Sequence, residues 1–350
     1  MILPGSELYN LILLAIGMLC FGTWANTYRM TSRWRFELYY FDFAIGALLA
    51  ALIIGFTFGS LGWDGFGLMD DLHIAGKSKM AYALAGGVVF NLGNMLIIGA
   101  LSLSGVTIAY LSGMGMMLAS GMLISYFTSP AGNGVMTWGG AVLVLAAAIA
   151  LTVAFRQQAL GRLVALMREG KTKSTKKTIS MKGQILAIVG GLIAGGFFPL
   201  INAARTGENG LGPYSIGVFF SVGILVSTFV FNLFFMNLPL HGEPLEFTAY
   251  FNGKGKFHLL GFLGGALWYG WLCAVLVASR AEGQNTVSPV TSRALLLGAI
   301  GIGVAWGLLR WKEFGGASGR TRTILMVALL VFVMGAVGLS AAAGLSTNGA

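Results

Sequence analysis

Two fully charged side chains fall at or within stretches that are otherwise apolar: Asp42, inside Tyr39-Tyr40-Phe41-Asp42-Phe43, and Arg293, just ahead of Ala294-Leu295-Leu296-Leu297. A charge inside a membrane costs about 2.5 to 3.5 kcal/mol even on mild insertion scales, so it stands paired or does chemistry. For Asp42 that chemistry is uptake of a proton or binding of a cation, since burial favours the neutral acid and suits a carboxyl to reversible protonation. Two plainer roles stay open for it: a structural pair or helix-start hydrogen bond, and solvation at the interface. Arg293 approaches from the opposite end of its run, so a direct pair with Asp42 requires that run to start late. Both are candidates for proton coupling or gating.

Uncharged polar and aromatic residues are the candidate substrate ligands: Trp24, Asn26, Asn91, Asn94, Tyr110, Phe198, Asn202, Trp268, Tyr269 and Trp271, with Tyr214 and Asn232 in the same kind of surroundings. Asn and Tyr hydrogen-bond a polar solute, and Trp and Phe stack on a flat or ring-shaped one, which is the usual make-up of a small-molecule pocket. Each of them alone is more often packing or part of an interfacial belt. No metal set is expected, because His73, His241 and His258 are scattered and Cys20 and Cys273 are isolated small hydrophobes rather than a CxxC pair. No serine, histidine and carboxylate share one membrane depth, which argues against a membrane hydrolase and against an enzyme of any kind.

The elements that must hold these residues follow from composition. The chain is 56% hydrophobic and 10% charged, against about 25% charged in soluble domains, and its place is a bilayer. The net charge of +10 sits between apolar runs, so it reports topology rather than a nucleic-acid partner. Runs long enough for the roughly 20 residues a crossing helix needs lie at 8–28, 38–58, 80–102, 105–128 and 134–155, then at 183–203, 213–237, 257–279, 288–309 and 323–344. Residues 1–155 thus form a first five-helix unit, 156–182 a basic linker and 183–350 a second five-helix unit. The connections after the odd-numbered spans carry 17 of the 22 Lys/Arg residues, eight of them in the linker, and the other side carries 5. That asymmetry places both termini outside and the linker in the cytoplasm. No cleavable signal peptide is expected, since Met1 to Asn10 holds no Lys or Arg.

Five spans per unit mean that a duplicated unit enters the membrane upside down. Gly17-Met-Leu-Cys-Phe-Gly22-Thr-Trp24 reads against Gly191-Leu-Ile-Ala-Gly-Gly196-Phe-Phe198, and Gly86-Gly87-Val-Val-Phe90-Asn91 against Gly264-Gly265-Ala-Leu-Trp268-Tyr269. The pairs Trp24/Phe198 and Phe90-Asn91/Trp268-Tyr269 are then expected to face one another across a pseudo-twofold axis. The 53 glycines fit close helix approach in lipid. In the linker, Ala165 to Thr172 is a degenerate phosphate-loop spelling that lacks the strand such a loop follows. Gln158 to Arg168 reads instead as a short amphipathic helix on the inner surface, with Leu160, Leu163, Val164 and Met167 toward lipid.

The stretches Phe21-Gly22-Thr23-Trp24, Tyr40-Phe41-Asp42-Phe43 with Leu48 to Gly59, Ala85 to Asn94 and Ala305 to Phe314 resemble the plant ureide permeases and their bacterial relatives. That family is grouped with the glucose/ribose and rhamnose uptake proteins in the drug/metabolite transporter (DMT) superfamily. The resemblance implies an all-α polytopic fold of ten transmembrane helices as a 5+5 inverted repeat of DMT type. It also implies secondary active, proton-coupled uptake of small polar solutes such as ureides, nucleobase-like heterocycles or sugars. One departure stands out: the family's Trp-Pro is Trp24-Ala25 here, which leaves the bend of the first span without its proline, while Pro199 occupies the equivalent place in the sixth.

The sequence therefore reads as an integral membrane carrier of the plasma membrane, in a bacterium the inner membrane. It needs no bound cofactor beyond a proton or sodium gradient, and its partners are a small polar substrate and membrane lipid, as monomer or homodimer. An exporter of metabolites or drugs is the nearest alternative, and a membrane-embedded enzyme, a lipid scramblase or a channel are more distant ones.

Overall fold

In a bilayer core every backbone N–H and C=O must be satisfied within the chain, so long apolar runs fold as helices. The computed structural model describes residues 1–31, 34–128, 130, 132–169, 181–280 and 287–344. Among these, ten helices are long and apolar enough to cross a membrane: span one Glu7–Met30, span two Phe36–Phe56, span three Lys77–Ser104, span four Val106–Thr128, span five Gly134–Arg168, span six Lys182–Arg205, span seven Pro213–Asn237, span eight Gly255–Ala278, span nine Pro289–Arg310 and span ten Gly319–Ala341. The chain is an integral membrane protein. Connections after odd-numbered spans share one side, the linker face; the chain's two ends and the remaining connections share the other, the terminal face. Apolar side chains such as Ile53, Val230 and Val333 are exposed around the outside, while Asp42, Asn91 and Asn232 are wholly buried.

All ten expected spans are present, and one expectation about the linker is corrected. Gln158 to Arg168 is no separate surface helix but the end of span five, continuous over 35 residues, or about 50 Å at the α-helical rise. Ala, Leu, Gln and Arg favour helix strongly enough to carry it past the membrane. The extension is tied down by Gln158 Nε2, which donates to the Gly315 carbonyl at 2.9 Å, and by Arg162 Nη2, which donates to the Glu313 carbonyl at 2.6 Å. Ala165 to Arg168 is accordingly helical, and the rest of the phosphate-loop spelling, from residue 170, lies outside the described residues, as do linker residues 171–180.

Spans one and six are each broken past their midpoints, toward opposite faces. Span six runs Lys182–Gly195 and resumes at Phe197–Arg205, because the ring of Pro199 collides with the carbonyl four residues back. Span one runs Glu7–Thr23 and resumes at Ala25–Met30 without a proline. Here a side chain inserts into the ladder. The Tyr110 hydroxyl donates to the Phe21 carbonyl at 2.9 Å and accepts from the Ala25 N–H at 3.4 Å, taking up the two groups that the break frees. Tyr110 stands on a wider π-helical segment of span four, Ala109–Met114. Its ring lies over Gly303, where a β-carbon would overlap it.

Packing partners in the first half have counterparts in the second. Span three packs on span six and span eight on span one; span two on span eight and span seven on span three; span four on span six and span nine on span one; spans two and seven, and five and ten, pair directly. Reciprocal glycine contacts sit at matching positions. A β-carbon on Gly46 would overlap the Phe262 carbonyl and one on Gly265 the Phe43 carbonyl; likewise Gly223 meets the Leu84 carbonyl and Gly87 the Phe220 carbonyl. Backbones therefore touch at both the two–eight and the three–seven crossings, as small residues allow in lipid. Between spans three and four the chain turns at Gly105, whose φ of +100 places it where L side chains are strained.

Candidate functional site

The glycine crossings bring large rings together midway through the bundle. Phe90 of span three and Trp268 of span eight stack with centroids 4.2 Å apart, so this expected pair does meet. Trp268 also stacks on Phe220 and lies edge-on to Trp271, and Trp271 rests on Phe21 at 4.3 Å. Trp24 packs on Phe43 at 5.1 Å. Phe198, by contrast, packs on Phe197 and over Gly121 of span four. The structure thus gives Trp24 and Phe198 separate neighbours rather than the expected facing pair, because the broken ends of spans one and six turn them toward different helices.

Hydrogen bonding separates the remaining candidates. Asn91 is engaged with span seven: its Nδ2 donates to Ser227 Oγ at 2.8 Å, Thr228 Oγ1 at 3.1 Å and the Ile224 carbonyl at 3.2 Å. Asn94 Nδ2 donates to the Tyr40 hydroxyl at 2.9 Å. Asn26 lies toward the linker face, where its Oδ1 accepts from Trp311 Nε1 at 2.7 Å. Tyr110 is held by span one, and Tyr269 is buried against Gly217 of span seven. Asn202 sits half-buried in the last turn of span six, near the terminal face and away from the ring cluster. Among the described residues, three indole N–H groups, those of Trp24, Trp268 and Trp271, and the Tyr269 hydroxyl stay without a hydrogen-bond partner, all essentially inaccessible. A buried donor with no partner costs about 1–3 kcal/mol, so three in one cluster call for a reason. A ring compound bearing carbonyl oxygens supplies one, since it can stack on the rings and accept from the indoles.

The second part of the site lies on the linker face. Asp42 is fully buried, and both its oxygens are bonded: Oδ1 accepts from the Tyr250 hydroxyl at 2.5 Å and Oδ2 lies 2.8 Å from His258 Nδ1. His258 heads span eight, and Tyr250 belongs to a short helix, Thr248–Phe251, in the connection before it. Trp34 covers both, with centroids 4.8 Å from His258 and 6.4 Å from Tyr250. Gly261 is needed where it stands, because a β-carbon there would overlap that of Asp42. Burial first, and then the bond to Asp42 and its charge, raise the Tyr250 hydroxyl above the ordinary tyrosine range, so it stays a donor. The imidazole is one-fifth exposed while the carboxylate is not, so His258 stands between Asp42 and the aqueous side.

Arg293 is not brought to Asp42. It lies near the terminal-face end of span nine, where its Nη1 reaches the Leu339 carbonyl at 3.3 Å. Reading apolar runs for charges also passed over two further carboxylates. Glu37 is wholly buried in a bidentate pair with Arg35, at 2.6 and 3.1 Å. Glu313 reaches from the connection after span nine to the start of span four, where its oxygens accept from the Val106 and Thr107 N–H groups at 2.6 and 2.8 Å. His258 was considered only as a metal ligand; its place three residues into span eight, at the depth of Asp42 in span two, is the signal that finds it.

Comparison with known proteins adds a likeness over most of the chain. A family model described as ureide permease matches residues 39–184. Ureide permease 1 of Arabidopsis thaliana is 25% identical over 387 residues, covering 94% of this chain and 95% of that protein. Ureide permease 2 of the same plant is 24% identical, covering 94% and 96%. A solved crystal structure of a protein aligns over 95% of this chain and 96% of its own at 15% identity and a TM-score of 0.48.

Proposed function

We propose that this protein is a secondary active carrier, not an enzyme, that takes up a small carbonyl-bearing ring solute of the ureide or nucleobase class. The observation that carries this reading is the trio of buried indole donors set among stacking rings. The ureide permeases it resembles point to the same class of solute. The neighbouring sugar solutes fit less well, because each sugar hydroxyl also brings a donor of its own to a cluster that offers mainly donors and flat faces.

Two oppositely oriented five-span halves, residues 1–155 and 183–350, enclose the ring cluster and rock to open it to either side. The reciprocal glycine crossings support this: Gly46 and Gly223 stand 177 residues apart and Gly87 and Gly265 178. Asp42 takes up the coupling proton. Protonation removes the negative charge that holds the Tyr250 and His258 bonds in their charge-assisted form, which loosens the closure between spans two and eight on the linker face. The 17-to-5 distribution of Lys and Arg supports a cytoplasmic linker face with the termini outside, in a plasma membrane.

Purified protein in liposomes tests the reading. An inward proton gradient is expected to drive accumulation of radiolabelled allantoin or uracil and not of glucose, with collapse on addition of a protonophore. Accumulation driven only by an outward solute-for-proton exchange would favour an exporter, and no movement of any ring solute would refute the carrier reading.

A further inference from the structure

The terminal face carries a feature that neither the ring cluster nor the Asp42 cluster uses. A crevice of about 630 Å³ opens between spans one, eight and nine, lined among others by Leu14, Arg205, Val275, Ser279, Ser292 and Arg293. A separate cleft of about 10 Å³, which shares Leu14, Val275, Ser292 and Leu296 with the crevice, lies against Met18 and Trp271, one of the three tryptophans whose indole N–H has no partner among the described residues. Two half-buried guanidinium groups thus stand in one crevice, and no carboxylate is among its described lining residues. Arg205 has no bonded acceptor for its side chain among the described residues, and Arg293 has only the long bond to the Leu339 carbonyl. A third cation, Arg280, lies close by, but it lines the neighbouring cavity together with Asp64 and Asp71 and its Nη2 donates to the Leu211 carbonyl at 2.6 Å. Gathering like charges in a partly desolvated cleft is unfavourable unless something negative shares it.

We propose that this crevice is a binding subsite distinct from the ring cluster, in which Arg205 and Arg293 hold the oxygen atoms of a planar carbonyl-rich or deprotonated imide solute before it passes to Trp271. The proposal rests on the carrier reading and deepens it by assigning a vestibule and its chemistry. The guanidinium fork suits paired oxygens, and the serines at 279 and 292 add neutral polar contacts. The apolar walls at Leu14, Val275 and Leu296 leave the ring's faces in contact with hydrocarbon. The same oxygen chemistry occurs in lipid phosphate, so the test separates the two sources.

Ser292→Cys, and as a second reporter at the rim Ser279→Cys, are placed in a background with Cys20 and Cys273 changed to Ala. Each is reacted in phosphatidylcholine nanodiscs with an anionic sulfonatoethyl and a cationic trimethylammonioethyl methanethiosulfonate. The anionic reagent is expected to gain on the cationic one, and the ratio to fall about tenfold with Arg205→Gln and Arg293→Gln together. Saturating uracil or allantoin is expected to slow the reaction at residue 292, and the double arginine variant to lose that protection. A ratio indifferent to the arginines at both reporters would overturn the subsite, and so would protection that neither solute gives. Protection by added phosphatidylglycerol alone would assign the crevice to lipid and likewise overturn it. Failure of the carrier reading shows elsewhere, as absence of ring-solute uptake by liposomes even where the labelling ratio responds to the arginines.

Discussion

The two faces of the bundle handle charge in opposite ways. On the linker face the buried Asp42 and Glu37 and the half-buried Glu313 are bonded at both oxygens: Asp42 to Tyr250 and His258, Glu37 to Arg35, Glu313 to the first N–H groups of span four. On the terminal face two arginines line an open crevice with few acceptors. The Asp42 and Glu313 bonds join different elements, whereas the Arg35–Glu37 pair lies within the head of span two. In this conformation the linker face is closed by the bonds around Asp42, and the terminal face holds the open crevice.

Variants that loosen the sealed face break the comparison, and Asp42→Asn has the largest effect. It removes the proposed proton acceptor while keeping shape, so accumulation against a gradient is expected to vanish while solute counterflow persists; loss of both, with the protein folded, would contradict the role. Next in size is Glu313→Ala, which leaves two backbone donors at the head of span four without their carboxylate. Removing such a cap costs about 2 kcal/mol, read as a lowered Tm in nanodiscs, and Glu313→Gln should recover part of it. Tyr250→Phe leaves Asp42 with one partner, a loss of about 1.5 kcal/mol for a bond to a charged group, read as a lowered Tm in nanodiscs.

The Tyr250 hydroxyl also fixes the sign of one pH effect. Its native pKa is raised above the unfolded value of about 10, so its contribution is complete below that range and fades only as pH climbs through the higher native value. Stability between pH 7 and 9 should therefore be indifferent to it, and thermal unfolding of wild type and Tyr250→Phe should run parallel there. The smallest expected effect is Trp311→Phe, which takes about 1 kcal/mol of hydrogen bond from Asn26 and leaves the sealed cluster around Asp42 untouched; a Tm equal to wild type would show that the bond is replaced by water.

Much of this architecture was legible because lipid makes few demands and makes them everywhere. Apolar length set the ten spans, and Gly86-Gly87 and Gly264-Gly265 marked the crossings that stack Phe90 on Trp268. Partners far apart in sequence were not legible. Asp42 lies more than 200 residues from Tyr250 and His258, and only the packing of span eight on span two joins them. Nor did Trp24-Ala25 reveal how span one bends without proline, since the answer is a hydroxyl from span four. Span five misled for a different reason: Gln158 to Arg168 suits a surface helix and a helix extension alike, and the choice is made by the Glu313 to Gly315 backbone that Gln158 and Arg162 grip.

The most direct test of the account follows protons and solute together. With wild-type protein in liposomes, adding uracil or allantoin to a weakly buffered outer medium is expected to alkalinise it in step with solute uptake, while Asp42→Asn exchanges labelled solute with no pH change. Proton movement in Asp42→Asn equal to wild type would contradict the assignment of the sealed face as the coupling site.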